Sequence, residues 1–127
     1  MNQIVQLTLV VKNYDEAIDF YTQKLGFKLL EDTTLSDVKR WVRVAPPNSK
    51  TSLLLAKAAN SDQLIAVGNQ TGGRVFLFMH TDNFDQYYDN LIKNNVKIIR
   101  EPSIEVYGKV CVFADLYGNL WDLIEPN

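Results

Sequence analysis

The stretch that decides the fold is Phe113–Glu125, which reads FADLYGNLWDLIE. It predicts the end of one strand, a tight turn at Tyr117-Gly118-Asn119, and a second strand from Leu120 to Glu125. A weaker copy of this pattern precedes it by 69 residues, because Val44–Ala56 reads VAPPNSKTSLLLA. In both copies an alanine precedes the turn and an aliphatic pair lies near the end of the strand. The chain therefore repeats one supersecondary unit.

The two helix starts repeat as well. Asn13–Glu16 reads NYDE and Asn83–Gln86 reads NFDQ, and an asparagine followed three residues later by Glu or Gln is typical of a capped helix start. Apolar residues at helical spacing follow each cap. Gly26 ends the first helix and Asn95 ends the second, since these residue types accept the left-handed conformation of a helix C-cap.

The repeat predicts an α+β fold of two βαβββ modules that form a curved mixed sheet with the helices on its outer face. The other face of the sheet is expected to be open and to hold a ligand. Module one is residues 1–57, a linker follows at 58–73, and module two is residues 74–127, all within one domain. The predicted strands are Val5–Val11, Phe27–Glu31, Val38–Ala45, Thr51–Lys57, Arg74–His80, Val96–Arg100, Lys109–Phe113 and Leu120–Glu125.

Composition excludes several classes of protein. The chain has 127 residues, 46% of them hydrophobic, which is enough for a sizeable core and argues against disorder. A net charge of −2 gives no electrostatic basis for binding nucleic acid or an acidic membrane. The single cysteine, Cys111, excludes an internal disulfide and is expected to be a buried core thiol. The start, MNQIVQLTLVV, reads as a strand and not as a signal peptide, so we expect a cytoplasmic protein.

Five segments spread over the whole chain form a recognisable set of motifs: Val10–Asn13 (VVKN), Ala17–Tyr21 (AIDFY), Leu25–Phe27 (LGF), Phe113–Asp115 (FAD) and Gly118–Leu123 (GNLWDL). Together they resemble the vicinal oxygen chelate superfamily, which includes glyoxalase I, extradiol dioxygenases and bleomycin-resistance proteins. The chain departs from the usual pattern at Asn13, Leu116 and Asp122, where that superfamily commonly has Asp, Pro and Glu.

The resemblance implies a homodimer and a divalent metal held by four residues, one from each of four strands. These positions fall on Gln6, within Leu53–Leu55, on Phe76 (or Val75) and on Asp122. Leucine and phenylalanine offer no donor atom, and two oxygen donors are fewer than a catalytic metal site usually has. We therefore expect no metal cofactor; if a metal is bound, Gln6 and Asp122 are two of its ligands.

Strand alternation in Arg40–Ala45 separates Val42 and Val44 from Trp41 and Arg43. If the valines face the helices, Trp41 and Arg43 project towards the open face. Together with Gln6, Thr8, Phe76 and Asp122 they are the predicted ligand-binding residues, for a planar or anionic small molecule. The alternative is that Arg43 forms a structural salt bridge with Asp122 beneath a tryptophan lid.

Three residues are candidate general acids or bases: His80, Glu105 and Tyr107. His80 is the only histidine and the only side chain that titrates near neutral pH unaided. The alternative, which is the more common one for such residues, is that His80 is a strand-end histidine that bonds backbone and that Glu105 and Tyr107 belong to a solvated turn.

Three functional hypotheses follow. The first is a binding protein that holds a small organic ligand without metal, by sequestration, as the resemblance to bleomycin-resistance proteins implies. The second is a metal-dependent lyase, isomerase or dioxygenase with an unusual site. The third is a non-catalytic module whose pocket is filled by its own side chains.

Overall fold

The computed structural model describes residues 1–127, which form two compact units, Met1–Val67 and Gly68–Asn127. The first unit contains β1 (Gln6–Val11), α1 (Tyr14–Asp19), a π-helical segment (Phe20–Lys24), β2 (Lys28–Thr34), β3 (Arg40–Ala45), β4 (Ser52–Lys57) and α2 (Ser61–Ala66). The second unit contains β5 (Leu77–His80), α3 (Phe84–Lys93), β6 (Lys97–Glu105), β7 (Gly108–Ala114) and β8 (Leu120–Pro126). None of the helices has the length and apolarity that a membrane span requires.

Each unit contains one mixed sheet of four strands. The strand orders are β1-β4-β3-β2 and β5-β8-β7-β6. In both sheets the first strand pairs in parallel with the last, and the remaining neighbours are antiparallel. The predicted α+β fold of two βαβββ modules is therefore confirmed.

The buried side chains follow the strand alternation that the sequence predicts. In the first unit Val42 and Val44 of β3 are fully buried, whereas Trp41 and Arg43 between them are partly exposed. In the second unit Trp121 of β8 stacks on Phe113 of β7, with ring centroids 5.9 Å apart. One face of each sheet therefore carries the buried apolar side chains, and we refer to it as the buried face; the side chains that alternate with them lie on the opposite, open face.

Both predicted helix starts have the expected caps. The Asn13 side-chain oxygen accepts a hydrogen bond from the Glu16 backbone N–H at 2.9 Å, and the Asn83 oxygen accepts one from the Gln86 N–H at 3.3 Å. The ends also agree, because Gly26 has φ +74° and Asn95 has φ +59°. The asparagine side chains therefore fix where each helix begins, and the left-handed residues Gly26 and Asn95 follow where each helical segment ends.

The turn in the fold-deciding stretch is organised by Asp115, which is almost fully buried. Its carboxylate accepts hydrogen bonds from the backbone N–H groups of Tyr117 and Asn119, both at 2.9 Å, and from the Asn119 side-chain amide at 2.8 Å. Gly118 completes the turn with φ +98°. A buried carboxylate with several donors is stable without a cation.

Three strand boundaries differ from the sequence-based prediction by three residues or more. β2 continues beyond the predicted end at Glu31 to Thr34, because the Arg40 guanidinium binds the Asp32 carboxylate from β3 at 2.7 and 3.1 Å. β6 likewise continues beyond Arg100 to Glu105. β5 begins at Leu77 and not at Arg74, whose carbonyl accepts a hydrogen bond from the Thr71 hydroxyl instead.

The segment 58–73, predicted as a linker, contains helix α2. The Asn60 side chain accepts a hydrogen bond from the Gln63 N–H at 2.9 Å, and the Gln63 side-chain oxygen accepts one from the Ala59 N–H at 2.7 Å. Asn60 and Gln63 have the same spacing as the two predicted caps. The chain thus has three asparagine caps with this spacing, and the small and polar composition of the segment obscured the one at Asn60.

Substituting Gly26 with alanine is expected to destabilise the protein by about 1 kcal/mol, because the left-handed conformation disfavours a Cβ atom. No atom lies within 4 Å of the place that a Cβ would occupy, so the cost comes from the backbone conformation alone. Urea denaturation measures it. Asn95→Gly is the matched control and should change stability by less than about 0.5 kcal/mol. Unchanged stability of Gly26→Ala would contradict this explanation.

Candidate ligand site

A cavity of about 420 Å³ lies in the first unit beside β1, β4 and β3. Its apolar wall is made by Trp41, Leu54 and Ala56, and Thr8 and Gln63 contribute polar groups. This volume falls within the range of small-molecule pockets. We refer to it as the Trp41 cavity.

Strand register explains how these side chains come together. Thr8 of β1 lies opposite Leu54 of β4, and Leu54 lies opposite Arg43 of β3. Leu53 and Leu55 are on the buried face, so Leu54 between them must project to the open face. Among the three leucines that share one predicted metal position, Leu54 is therefore the residue on the open face.

Helix α2 supplies a further wall of the cavity through Gln63, and Ala59 just before the helix contributes as well. The Gln63 side-chain oxygen is held by the Ala59 backbone N–H. That bond fixes the orientation of the amide and leaves its NH₂ donors for another group. Gln63 is a positioned hydrogen-bond donor that the sequence-based prediction missed, because the segment was interpreted as a linker.

The charged side chains at the rim of the Trp41 cavity are all basic. Lys39, Arg40 and Lys57 line it, and no carboxylate does. Arg40 is neutralised by Asp15 at 2.9 Å and Asp32 at 2.7 Å. Hydrogen bonds from Arg40 lower the pKa of Asp32, and the same bonds raise the pKa of Arg40.

The two lysines differ from Arg40, because neither takes part in any of the four salt bridges of the chain. Their ammonium groups are therefore available to an anionic ligand, as a rim charge that attracts it and as a direct contact.

Two of the predicted ligand-binding residues of the first unit, Thr8 and Trp41, line the cavity. Arg43 and Gln6 do not. The Arg43 guanidinium makes a salt bridge with Glu31 at 3.1 Å and a hydrogen bond with the Ser52 hydroxyl at 3.3 Å, and Gln6 lies opposite Ser52. Arg43 thus has a structural partner within its own sheet.

In the second unit Asp122 lies in the middle of β8, between Phe78 of β5 and Val112 of β7. Partial burial raises the pKa of the Asp122 carboxyl, and the positive charge of Arg100 opposes that rise. Phe76 lies just before β5, and its backbone N–H donates to the Leu120 carbonyl at 2.9 Å. The side chain opposite Asp122 is Phe78, which is 65% exposed and was not among the predicted residues.

The three candidate acid–base residues are spread over the second unit. His80 ends β5 and is exposed, and Glu105 ends β6 and accepts a hydrogen bond from the Ser103 hydroxyl at 3.0 Å. Tyr107 is exposed in the β6–β7 turn. β5 and β6 are the opposite edges of a four-stranded sheet, so His80 and Glu105 are separated by three strand spacings, or about 14 Å.

The side chains at the four metal positions implied by the resemblance fit a metal poorly. Leu54 and Phe76 have no donor atom, and Gln6 and Asp122 are the two that do. No group of three or more His, Cys, Asp and Glu side chains comes together elsewhere in the chain.

Cys111 is fully buried, and burial raises the pKa of its thiol to about 12, which confirms the predicted core thiol.

Replacing Asp122 with asparagine is expected to raise the melting temperature at pH 7. The carboxyl has a raised pKa in the folded protein, so its ionised form costs stability above that pKa. The cost disappears once the pH falls below the ordinary value of 3.8. Thermal denaturation should therefore show a gain at pH 7 and none near pH 3.

The control is Asp82→Asn, which changes an exposed aspartate after β5 and should have little effect at either pH. A lower melting temperature of Asp122→Asn at pH 7 would mean that the attraction to Arg100 outweighs burial.

Comparison with known proteins identifies the family. The model of the Glyoxalase/Bleomycin resistance protein/Dioxygenase superfamily matches residues 3–123. An uncharacterized protein of Shewanella frigidimarina (strain NCIMB 400) is 53% identical over 126 residues, which is 98% of this chain and 93% of that protein.

Two solved structures are similar over almost the whole chain. The crystal structure of UcmS2 has a TM-score of 0.86 and 26% identity, with 98% of each chain covered. That of TnmS3, an antibiotic binding protein from Streptomyces sp. CB03234, has a TM-score of 0.83 and 27% identity, with 100% of this chain and 98% of that chain covered. The chain therefore belongs to the glyoxalase/bleomycin-resistance/dioxygenase superfamily, whose members are vicinal oxygen chelate proteins.

Proposed function

We propose that this protein binds a small planar organic molecule that carries an acidic group, in the Trp41 cavity and without a metal. The observation that carries the proposal is an indole beside a preformed cavity whose rim has two unpaired lysines and no carboxylate. Sequestration of the ligand is the function that follows.

The cavity wall supports a planar ligand. Trp41 offers a large flat surface, and Leu54 and Ala56 continue that surface on the neighbouring strand. Apolar walls with a few positioned polar groups are typical of small-molecule sites. The Gln63 amide and the Thr8 hydroxyl are the polar groups that would orient a ligand against this wall.

The lysines support an acidic group on the ligand. Lys57 is the last residue of β4, and Lys39 immediately precedes β3. Because β3 and β4 are antiparallel, both lysines lie at the same end of the cavity. A carboxylate or phenolate on the edge of a planar ring would reach them while the ring lies against Trp41. Charge-assisted hydrogen bonds of this kind are stronger than neutral ones.

A relative of similar structure supports the same class of function. TnmS3, described as an antibiotic binding protein, is 27% identical to this chain over essentially its whole length.

Binding without a metal is supported by the leucine and phenylalanine at two of the four positions where the superfamily commonly has metal ligands. A homodimer and a cytoplasmic location stay predictions from the sequence.

The test is isothermal titration of 7-hydroxycoumarin-3-carboxylate, a planar acid, into protein treated with a chelator. We expect micromolar binding, a loss of about tenfold or more in Trp41→Ala, and a loss of about tenfold in Lys39→Gln combined with Lys57→Gln. Neutral coumarin should bind more weakly than the acid and should not respond to the lysine variant.

The control variant is Tyr107→Ala, which removes an exposed aromatic side chain of the second unit and should leave the affinity unchanged. Two outcomes would overturn the proposal. They are binding that requires an added divalent metal, and binding that is lost in Tyr107→Ala but kept in Trp41→Ala.

A further inference from the structure

A second cavity of about 430 Å³ adjoins the Trp41 cavity in the first unit. Five residues line both cavities: Tyr14, Val38, Lys39, Arg40 and Lys57. The two spaces are therefore neighbours that share one wall, and the two unpaired lysines lie where they meet. We refer to the second space as the hairpin cavity, because the β2–β3 turn (residues 35–39) and the adjoining strand ends form much of it.

The hairpin cavity differs from the Trp41 cavity in chemistry. The residues that line it alone are all polar, and they include Thr34, Ser36 and Asp37. These side chains offer two hydroxyl groups, which donate and accept hydrogen bonds, and one carboxylate, which accepts them. Such a lining suits a group with many hydroxyls and does not suit a second aromatic ring.

Internal contacts hold the β2–β3 turn in place. The Ser36 side-chain oxygen accepts hydrogen bonds from the backbone N–H groups of Val38 and Lys39, at 3.3 and 3.1 Å. Because both bonds use the oxygen as acceptor, the hydroxyl hydrogen remains to be donated. The turn also closes on itself through the Leu35 N–H and the Lys39 carbonyl at 2.8 Å.

Arg40 ties the base of this turn to α1. Its backbone N–H donates to the Tyr14 hydroxyl at 3.2 Å, its guanidinium lies 5.2 Å from the centre of the Tyr14 ring, and the same guanidinium binds Asp15 and Asp32. These contacts preform the wall between the two cavities, which reduces the entropy that a ligand would lose in ordering it.

We infer that the natural ligand has two parts: a planar acid in the Trp41 cavity, and a polyhydroxylated arm, such as a sugar joined to the ring, in the hairpin cavity. This rests on the proposed function, because the arm is joined to a ring that lies against Trp41. Thr34 pairs with Arg40 and therefore projects from the face of β2 and β3 opposite to Trp41, so the arm would pass round the start of β3 to reach Thr34 and Ser36. The lysines at the junction would contact the acidic group between the two parts.

The test compares two probes that differ only in the arm. They are 3-methoxy-2-naphthoate and 3-(β-D-galactopyranosyloxy)-2-naphthoate, which both carry the carboxylate beside the position of the arm and have no free phenol, each titrated calorimetrically into the full chain. We expect the galactoside to bind about tenfold tighter, which corresponds to two or three additional hydrogen bonds. In Thr34→Val and in Ser36→Ala that gain should shrink to less than about threefold, while the affinity for the simple ring acid stays the same.

Thr33→Val is the matched control. Thr33 precedes Thr34 in β2 and pairs with Trp41 of β3, so its side chain lies on the face of Trp41 and not on that of Thr34, and it does not line either cavity. It should keep the full gain. Thr34→Val keeps the β-branched shape of the side chain, so it remains informative if Ser36→Ala disturbs the turn, which the melting temperature would report.

The outcomes separate the two claims. If the ring acid binds but the galactoside is no tighter, or if the gain survives in Thr34→Val, the two-part ligand is wrong and the proposed function stands. If neither probe binds, the proposed function fails and this inference fails with it. A gain that is lost in Thr34→Val and kept in Thr33→Val supports the inference.

Discussion

Each unit depends on one parallel pairing between its first strand and its last, β1 with β4 and β5 with β8. A parallel pair cannot be joined by a tight turn, so the chain must cross over before it returns. Helix α1 leads from β1 to β2 at the opposite edge of the sheet, and the antiparallel strands β2, β3 and β4 bring the chain back beside β1; α3 leads in the same way from β5 to β6. Each helix packs against its own sheet. The pairing thereby determines which face is apolar and which face is left for polar side chains.

The buried turn at Asp115 serves the same pairing in the second unit. Its carboxylate binds the turn between β7 and β8, so that Leu120 begins β8 in the register that places Trp121 inward and Asp122 outward. A shift by one residue would exchange these two side chains, exposing the indole and burying the carboxylate among the core. The turn motif at Phe113–Asn119, which is part of the resemblance to the family, therefore sets the register of β8.

The two sheets have the same architecture but carry different side chains on their open faces. Equivalent rows cross both sheets, Thr8–Leu54–Arg43–Glu31 in the first unit and Phe78–Asp122–Val112–Arg100 in the second. In the first row the arginine and the carboxylate are neighbours and form a salt bridge. In the second a valine separates them, and the carboxyl keeps a raised pKa. In the first unit the charges of this row are therefore paired with each other.

Local signals predicted the fold well and the site in part. The caps at Asn13 and Asn83, the left-handed Gly26 and the alternation around Trp41 all follow from short-range chemistry that a sequence displays. The walls made by Gln63 and by the β2–β3 turn could not be predicted so readily. These walls depend on the positions of a short helix and of the tip of a hairpin. Tertiary contacts determine those positions, for example the salt bridges of Arg40 with Asp15 and Asp32.

The central claim is that ligand binds at the Trp41 cavity, and the two tryptophans of the chain allow a direct measurement. Trp41 lines the cavity, whereas Trp121 is buried against Phe113. Titration of 7-hydroxycoumarin-3-carboxylate, followed through the two indole N–H signals in ¹H–¹⁵N spectra, should shift the Trp41 signal and leave that of Trp121 almost unchanged. A shift of the Trp121 signal with Trp41 unmoved would contradict the claim and place the site in the second unit.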